Sequence, residues 1–134
     1  MSAPTQGLLD TSVLIATESG RPLDIASLPD EAFISVVTIG ELHAGVLAAK
    51  DTRTRAARLA TLESIAGLDP LPVDAAAATQ WAMLRVRLAE EGRRAKVNDL
   101  WIAAIAAANS LDVVTQDDDF EPIEAVGGPR VIRV

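Results

Sequence analysis

Four acidic residues of this 134-residue chain stand at the end of an apolar, strand-like run or at the start of a helix rich in small residues. They are Asp10, Glu41, Asp99 and Asp117, and Asp119 follows close behind the last of them. Carboxylates at such places point into the crevice where open α/β sheets bind ligands. None has a basic partner one helical turn away in its own helix, and crowded carboxylates must either protonate or take up a cation. We therefore predict a shared cation site.

The chemistry that suits such a site is phosphate-ester hydrolysis. Mg²⁺ and Mn²⁺ are hard cations that take oxygen ligands and keep several waters. Several carboxylates would offset the charge of the ion and leave positions for a phosphate oxygen and an attacking water, whose pKa the metal lowers. Thr11, Ser12 and Thr115 are placed to add hydroxyl hydrogen bonds to the acidic side chains.

Alternating strand-like and helical patterns predict the elements that carry these acids. The alternation favours one α/β domain over residues 1–134, with a central parallel sheet of four or five strands flanked by helices. Thr38 is predicted to cap a helix as part of a capping box with Glu41. The predicted strands are 7–10, 32–37, 71–73, 111–115 and 130–134, and the predicted helices are 11–17, 38–49, 52–66, 74–91 and 98–109.

Each acid also has a simple structural explanation. Glu41 can be a helix-cap partner, Asp99 can be an N-cap, and residues 117–119 can form a turn. However, the helix face that begins at Asp99 continues through Ile102 and Ala103, which form the apolar stripe and would put this carboxylate on the buried side. Capping alone does not explain why all of these acids stand at matching strand ends.

Composition limits the other classes of protein. The chain has no cysteine, which excludes disulfides and cysteine-bound zinc. A secretory signal begins with basic residues, but the first six residues carry no Lys or Arg. No apolar run approaches the ~20 residues of a membrane span. We therefore expect a cytoplasmic protein with no membrane partner.

The net charge of −7 is unevenly distributed. Residues 53–98 hold eight basic and five acidic residues, whereas both flanking segments are acidic. A locally basic surface is enough to bind phosphates. Arg93, Arg94 and Lys96 are the candidates for contacts with RNA, and the alternative is a solvated arginine face on two helices.

Four segments of the chain resemble, in order, the motifs of the PIN-domain ribonucleases, in particular the VapC-like toxins of bacterial toxin–antitoxin pairs. The segments are residues 8–16 (LLDTSVLIA), 35–42 (SVVTIGEL), 98–104 (NDLWIAA) and 114–120 (VTQDDDF). The resemblance implies that Asp10, Glu41, Asp99 and Asp117 bind Mg²⁺ or Mn²⁺. It also implies that Asp119 is an auxiliary ligand and that Asp118 points away.

The family further implies a metal-dependent endoribonuclease that cuts tRNA, rRNA or mRNA by in-line attack of an activated water, leaving 5′-phosphate and 3′-hydroxyl ends. It implies a homodimer, and a heterotetramer or larger assembly with a cognate VapB-like antitoxin that places a basic side chain at the acidic site. A PIN fold that only binds RNA would be expected to lack some of these carboxylates. A haloacid-dehalogenase-like phosphatase would need a second Asp where Ser12 stands, and a receiver domain would need paired acids at the first strand.

Overall fold

Four short parallel strands form the centre of the structure, a computed structural model that describes residues 5–134. The strand order is β2-β1-β3-β4, and every neighbouring pair is parallel. The strands are β1 (Gln6–Leu9), β2 (Glu31–Phe33), β3 (Asp112–Thr115) and β4 (Val131–Arg133). The predicted α/β fold with a parallel sheet of four or five strands is confirmed, with four strands. The prediction of one domain over 1–134 includes residues 1–4, which lie outside the described residues.

Six α-helices connect and flank the strands in the described part of the chain. Two begin at aspartates whose side chains accept a backbone hydrogen bond three residues on, from Thr54 to Asp51 and from Ala77 to Asp74. The helices are α1 (Thr11–Ser19), α2 (Val36–Ala48), α3 (Thr52–Ser64), α4 (Ala75–Glu90), α5 (Val97–Ala108) and α6 (Glu121–Ala125), with a 3₁₀ turn at Ile25–Ser27. The sequence patterns did not predict α6, which has only five residues.

The second predicted strand is longer than the observed one. The observed strand β2 ends at Phe33, and α2 already begins at Val36. Ser35 caps that helix, because its side chain accepts a 3.2 Å hydrogen bond from the backbone N–H of Thr38. The predicted capping box of Thr38 with Glu41 is therefore wrong. The predicted strand at 71–73 is also wrong, since only a single parallel bridge joins Ser35 to Leu71.

Helix α5 begins at Val97, one residue before its predicted range of 98–109. Its N-cap is Lys96, so Asp99 is the third helical residue and not an N-cap. The middle of α5 is buried on every side from Ile102 to Ala106. This helix packs into the larger buried cluster together with Leu84 of α4 and Val113 of β3, which holds its first turn close to the end of the sheet.

None of the helices in residues 5–134 has the length and apolar character needed to cross a membrane.

Candidate active site

The carboxyl ends of two neighbouring strands bring the predicted acids together. Asp10 directly follows β1, and its backbone N–H donates to Val114 of β3 at 2.8 Å, which extends the sheet by one residue. Asp117 lies two residues beyond the end of β3. Asp99 enters from the first turn of α5, and its ionisation is opposed by the charges of Asp10, Asp117 and Asp119. We call these four aspartates the acidic centre.

Thr115 links two members of the acidic centre. Its fully buried hydroxyl donates a 3.0 Å hydrogen bond to Oδ2 of Asp10 and lies 3.3 Å from Oδ1 of Asp117. Ser12 Oγ lies 3.2 Å from the same hydroxyl and accepts a 3.0 Å hydrogen bond from the backbone N–H of Gln116. Because a hydroxyl carries one proton, Thr115 can donate to only one partner at a time.

Glu41 adjoins the acidic centre through a second pair of hydroxyls. Thr11, the residue after Asp10, donates a 2.7 Å hydrogen bond to Oε1 of Glu41. Its oxygen is also 2.9 Å from the hydroxyl of Thr38, which must be the donor in that contact because Thr11 has already used its proton. The supporting positions of Thr11, Ser12 and Thr115 were predicted. Thr38 was missed, because it was interpreted as a helix cap.

Asp99 has an unusual environment. Its Oδ2 is buried and has no hydrogen-bond partner among residues 5–134. Burial, with the charges of Asp10, Asp117 and Asp119, raises the pKa of Asp99 to about 7. Burial also raises the pKa of Asp10, although hydrogen bonds from Ser12 and Thr115 oppose this effect. Titratable groups perturbed in this way are typical of functional sites.

One basic side chain does reach the acidic centre. Lys96, in the loop before α5, places its Nζ 2.7 Å from Oδ2 of Asp119. The expectation that no acid has a basic partner one helical turn away in its own helix did not cover this contact, because Lys96 and Asp119 are 23 residues apart in the chain. Asp118 is exposed and pairs with Arg133 instead, outside the acidic centre.

The donor set suits a hard divalent cation. An unpartnered, buried carboxylate oxygen among four negatively charged groups is a place where a cation would remove an electrostatic cost. No group of three or more His, Asp or Glu side chains in the described residues is arranged so that it could hold a metal ion by itself. Mg²⁺ is usually bound through one or two carboxylates, with waters and substrate phosphates as its other ligands, so these residues fit such an ion.

The hydroxyl of Thr115 provides a test of this network. We expect Thr115→Val, which keeps the shape and removes the hydrogen bonds, to lower the RNA cleavage that the resemblance implies by about 10–100-fold, as loss of a hydrogen-bond partner of a metal ligand does. Leaving the acceptors unpaired should also cost about 1–3 kcal/mol of stability. Cleavage rates and urea unfolding would measure both effects. Thr79→Val, on an exposed helix face, is the matched control, and equal behaviour of the two variants would contradict the role of Thr115.

A single family match spans the acidic centre and Glu41. The family model for the PIN domain matches residues 7–125. The chain belongs to the PIN-domain family. This match contains β2, β3 and all of β1 except Gln6, together with the acidic centre and Glu41.

Curated relatives and solved structures place this PIN domain more closely. It is 57% identical to Ribonuclease VapC5 of Mycobacterium tuberculosis, over 99% of this chain and 98% of that protein. It is 39% identical to Ribonuclease VapC4 of the same organism, over 86% of this chain and 88% of the relative. The crystal structure of VapBC-5, a toxin–antitoxin system of M. tuberculosis, contains a chain with a TM-score of 0.91 and 54% identity, matched over 98% of this PIN domain and all of that chain.

These comparisons confirm the resemblance to the PIN-domain ribonucleases and to their VapC-like members. The PIN-like fold is confirmed as well. The roles of the individual site residues stay predictions: the structure brings Asp10, Asp99, Asp117 and Asp119 together and joins Glu41 to them through Thr11.

Proposed function

We propose that this PIN domain is a VapC-type endoribonuclease that hydrolyses RNA phosphodiesters with the help of Mg²⁺ or Mn²⁺. The single observation that carries the proposal is the state of Asp99. Its buried Oδ2 lacks a hydrogen-bond partner in the described residues, and burial together with the charges of neighbouring carboxylates raises its pKa to about 7. A protein maintains such repulsion when binding at the site removes it. The names of the near full-length relatives, which are ribonucleases, support the reaction class.

The residues that would hold the metal in this proposal, one or two of them directly and the others through its waters, are Asp10, Glu41, Asp99 and Asp117, with Asp119 as an auxiliary ligand. Once bound, a divalent ion would supply a water of lowered pKa and offset charge on the phosphate. The chain's own contribution is to hold the carboxylates in place. Thr115 orients Asp10, and Thr11 orients Glu41.

The pair of Lys96 and Asp119 has a consequence for this site. Asp119 already has a cation at 2.7 Å, and its hydrogen bond and charge raise the pKa of Lys96. Asp119 is therefore less free than Asp99 to accept a metal. In this proposal it acts as the weakest ligand of the five.

We further propose that a VapB-like antitoxin encoded with this protein neutralises it, placing a basic side chain at the acidic centre. The support is the solved VapBC-5 structure, which is described as a toxin–antitoxin system and matches nearly all of this chain. A homodimer, and a heterotetramer or larger assembly with the antitoxin, acting on tRNA, rRNA or mRNA in the cytoplasm, complete the proposal.

Metal-dependent cleavage of purified RNA tests the function. The antitoxin-free protein should produce discrete fragments with Mg²⁺ or Mn²⁺, none with EDTA, and fragments again when the metal is restored. Sequencing the fragment ends would identify the substrate. Cleavage that persists in EDTA would contradict the metal requirement, and a folded protein that cuts none of several RNA pools would favour a PIN domain that only binds RNA.

A further inference from the structure

A cleft of about 580 Å³ opens between the end of α4, the following loop and the start of α5. Arg85, Arg93 and Arg94 line it, and no acidic residue does. Its apolar lining includes Leu88 and Leu100, the second of which directly follows Asp99 in the chain. We call it the arginine cleft. Its volume lies within the range of about 300–1,000 Å³ that is common for ligand sites.

The three arginines have no polar partner of their own. Within residues 5–134, none of them forms an ion pair or a side-chain hydrogen bond, whereas Arg130 pairs with Asp112 at 2.8 Å. All three arginines of the cleft are exposed. Three like charges around one concave surface repel one another, and an anion bound there would offset that repulsion.

One of the arginines is held in place by aromatic rings. The guanidinium carbon of Arg85 lies 5.3 Å from the centre of the Trp81 ring. Trp81 in turn stacks on Trp101 of α5, with 5.0 Å between ring centres and 12° between planes. A guanidinium stacked on a ring keeps its N–H groups free in the plane and loses less rotamer entropy when it binds a phosphate.

The arginine cleft continues toward the acidic centre. A second cleft, of about 410 Å³, shares Arg94 and Ala95 with the first and extends to Lys96, Asp118 and Asp119. Arg94 and Lys96 therefore line a surface path from the arginine cleft to the aspartates at its far end. The path is local, since the chain as a whole carries a net charge of −7.

We propose that the arginine cleft binds the phosphodiester backbone of the RNA substrate, at phosphates next to the one that is cleaved. This inference rests on the proposed function and adds Arg85 and a defined cleft to the candidates for RNA contact. Arginine in this role supplies affinity and register without reading bases. Trp81 is covered by Arg85 and is not free to stack on a base, so recognition here depends on the backbone and its shape.

The test measures RNA binding without cleavage. Asp99→Asn protein, combined with Arg85→Ala, Arg93→Ala or Arg94→Ala, is titrated with a labelled RNA at several salt concentrations. Each phosphate contact contributes about 0.7–0.9 to the slope of log K against log salt. Each cleft substitution should therefore reduce the slope by roughly that amount. Arg53→Ala, which removes an exposed arginine from α3, is the matched control and should leave the slope unchanged.

The outcomes separate this inference from the proposed function. Slopes that are the same in all three cleft variants and in Asp99→Asn alone would overturn the inference, even if the wild-type protein cleaves RNA. Reduced slopes in the cleft variants, with no cleavage by the wild type, would support RNA binding by the arginine cleft and contradict the proposed nuclease activity. Arg85→Ala can disturb the Trp81 stack, so Arg93→Ala, which contacts neither ring, decides the matter if Arg85→Ala changes the oligomeric state.

Discussion

Asp99→Asn protein is expected to lose RNA cleavage by at least about 10³-fold while remaining folded. The substitution keeps the size of the side chain and removes the carboxylate that is least satisfied by the protein itself. Losing several kcal/mol of charge stabilisation in the transition state corresponds to that factor, because each 1.36 kcal/mol is about tenfold in rate. Time courses of RNA cleavage with Mg²⁺ or Mn²⁺ would measure it.

Asp118→Asn is the matched control for this loss. Asp118 lies between Asp117 and Asp119 in the chain, but it is exposed and pairs with Arg133. Its conversion should leave cleavage within about twofold, because a surface ion pair contributes about 0–1 kcal/mol. Wild-type turnover in Asp99→Asn, or equal losses in both variants, would contradict the assignment of the acidic centre.

The same Asp99→Asn substitution should stabilise the metal-free protein at neutral pH. The pKa of Asp99 is about 7 in the folded protein, against an ordinary value of 3.8. Between these values the folded protein holds the proton more tightly than the unfolded chain, so its stability falls as the pH rises. The destabilisation is absent below about pH 4 and complete above about pH 7.

Thermal unfolding in EDTA from pH 4 to pH 8 would reveal this linkage. The melting temperature of Asp99→Asn minus that of the wild type should grow across this window and level off above pH 7. Adding Mg²⁺ or Mn²⁺ should raise the melting temperature of the wild type more than that of the variant, since a ligand that binds the folded state stabilises it. A difference that is flat with pH would show that Asp99 is not destabilised by its neighbours.

Among the substitutions proposed for this protein, Phe120→Ala is expected to lower the free energy of unfolding the most. Phe120 is fully buried, immediately follows the acidic loop at Asp119, and belongs to the same core cluster as Leu8 and Ile123. Truncating a buried Phe costs about 3–5 kcal/mol, a large share of the roughly 5–15 kcal/mol by which a domain is stable. Urea unfolding would measure the loss of free energy.

Leu47→Ala is the control for this substitution, because Leu47 is 84% exposed and should change stability by less than about 0.5 kcal/mol. Phe120→Ala should also lower cleavage in the molecules that stay folded, since Phe120 anchors the loop that carries Asp117 and Asp119. A loss of stability below about 1 kcal/mol would mean that this loop is held by other contacts.

Local patterns were sufficient to predict much of this protein. Apolar runs ending at Asp10 and before Asp117 predicted two strands of a parallel sheet, and both are present. Asp74 predicted the start of α4, and its side chain does cap that helix. Strand periodicity and N-caps could be predicted because they depend on residues close together in the chain. The acids were expected to meet because parallel strands of one sheet share a carboxyl edge.

The errors occurred where contacts between distant segments outweighed local preference. The β-branched residues Val36 and Val37 favour a strand, yet they begin α2, because Ser35 both caps the helix and bridges to Leu71. Thr38 was likewise interpreted as a cap, although its hydroxyl contacts Thr11, which is 27 residues away. Secondary-structure propensities are weak, and such contacts override them.

The pairing of charges was also decided only in three dimensions. The sequence shows which acids and arginines are present, but not that Lys96 meets Asp119 across 23 residues. Nor does it show that Trp81 and Trp101 stack beneath Arg85 or that three arginines surround one cleft. These arrangements depend on how α4 and α5 pack together against the sheet. Residue types and spacing thus specify the chemistry available to this chain, whereas helix packing specifies which charges are paired and which remain free to bind.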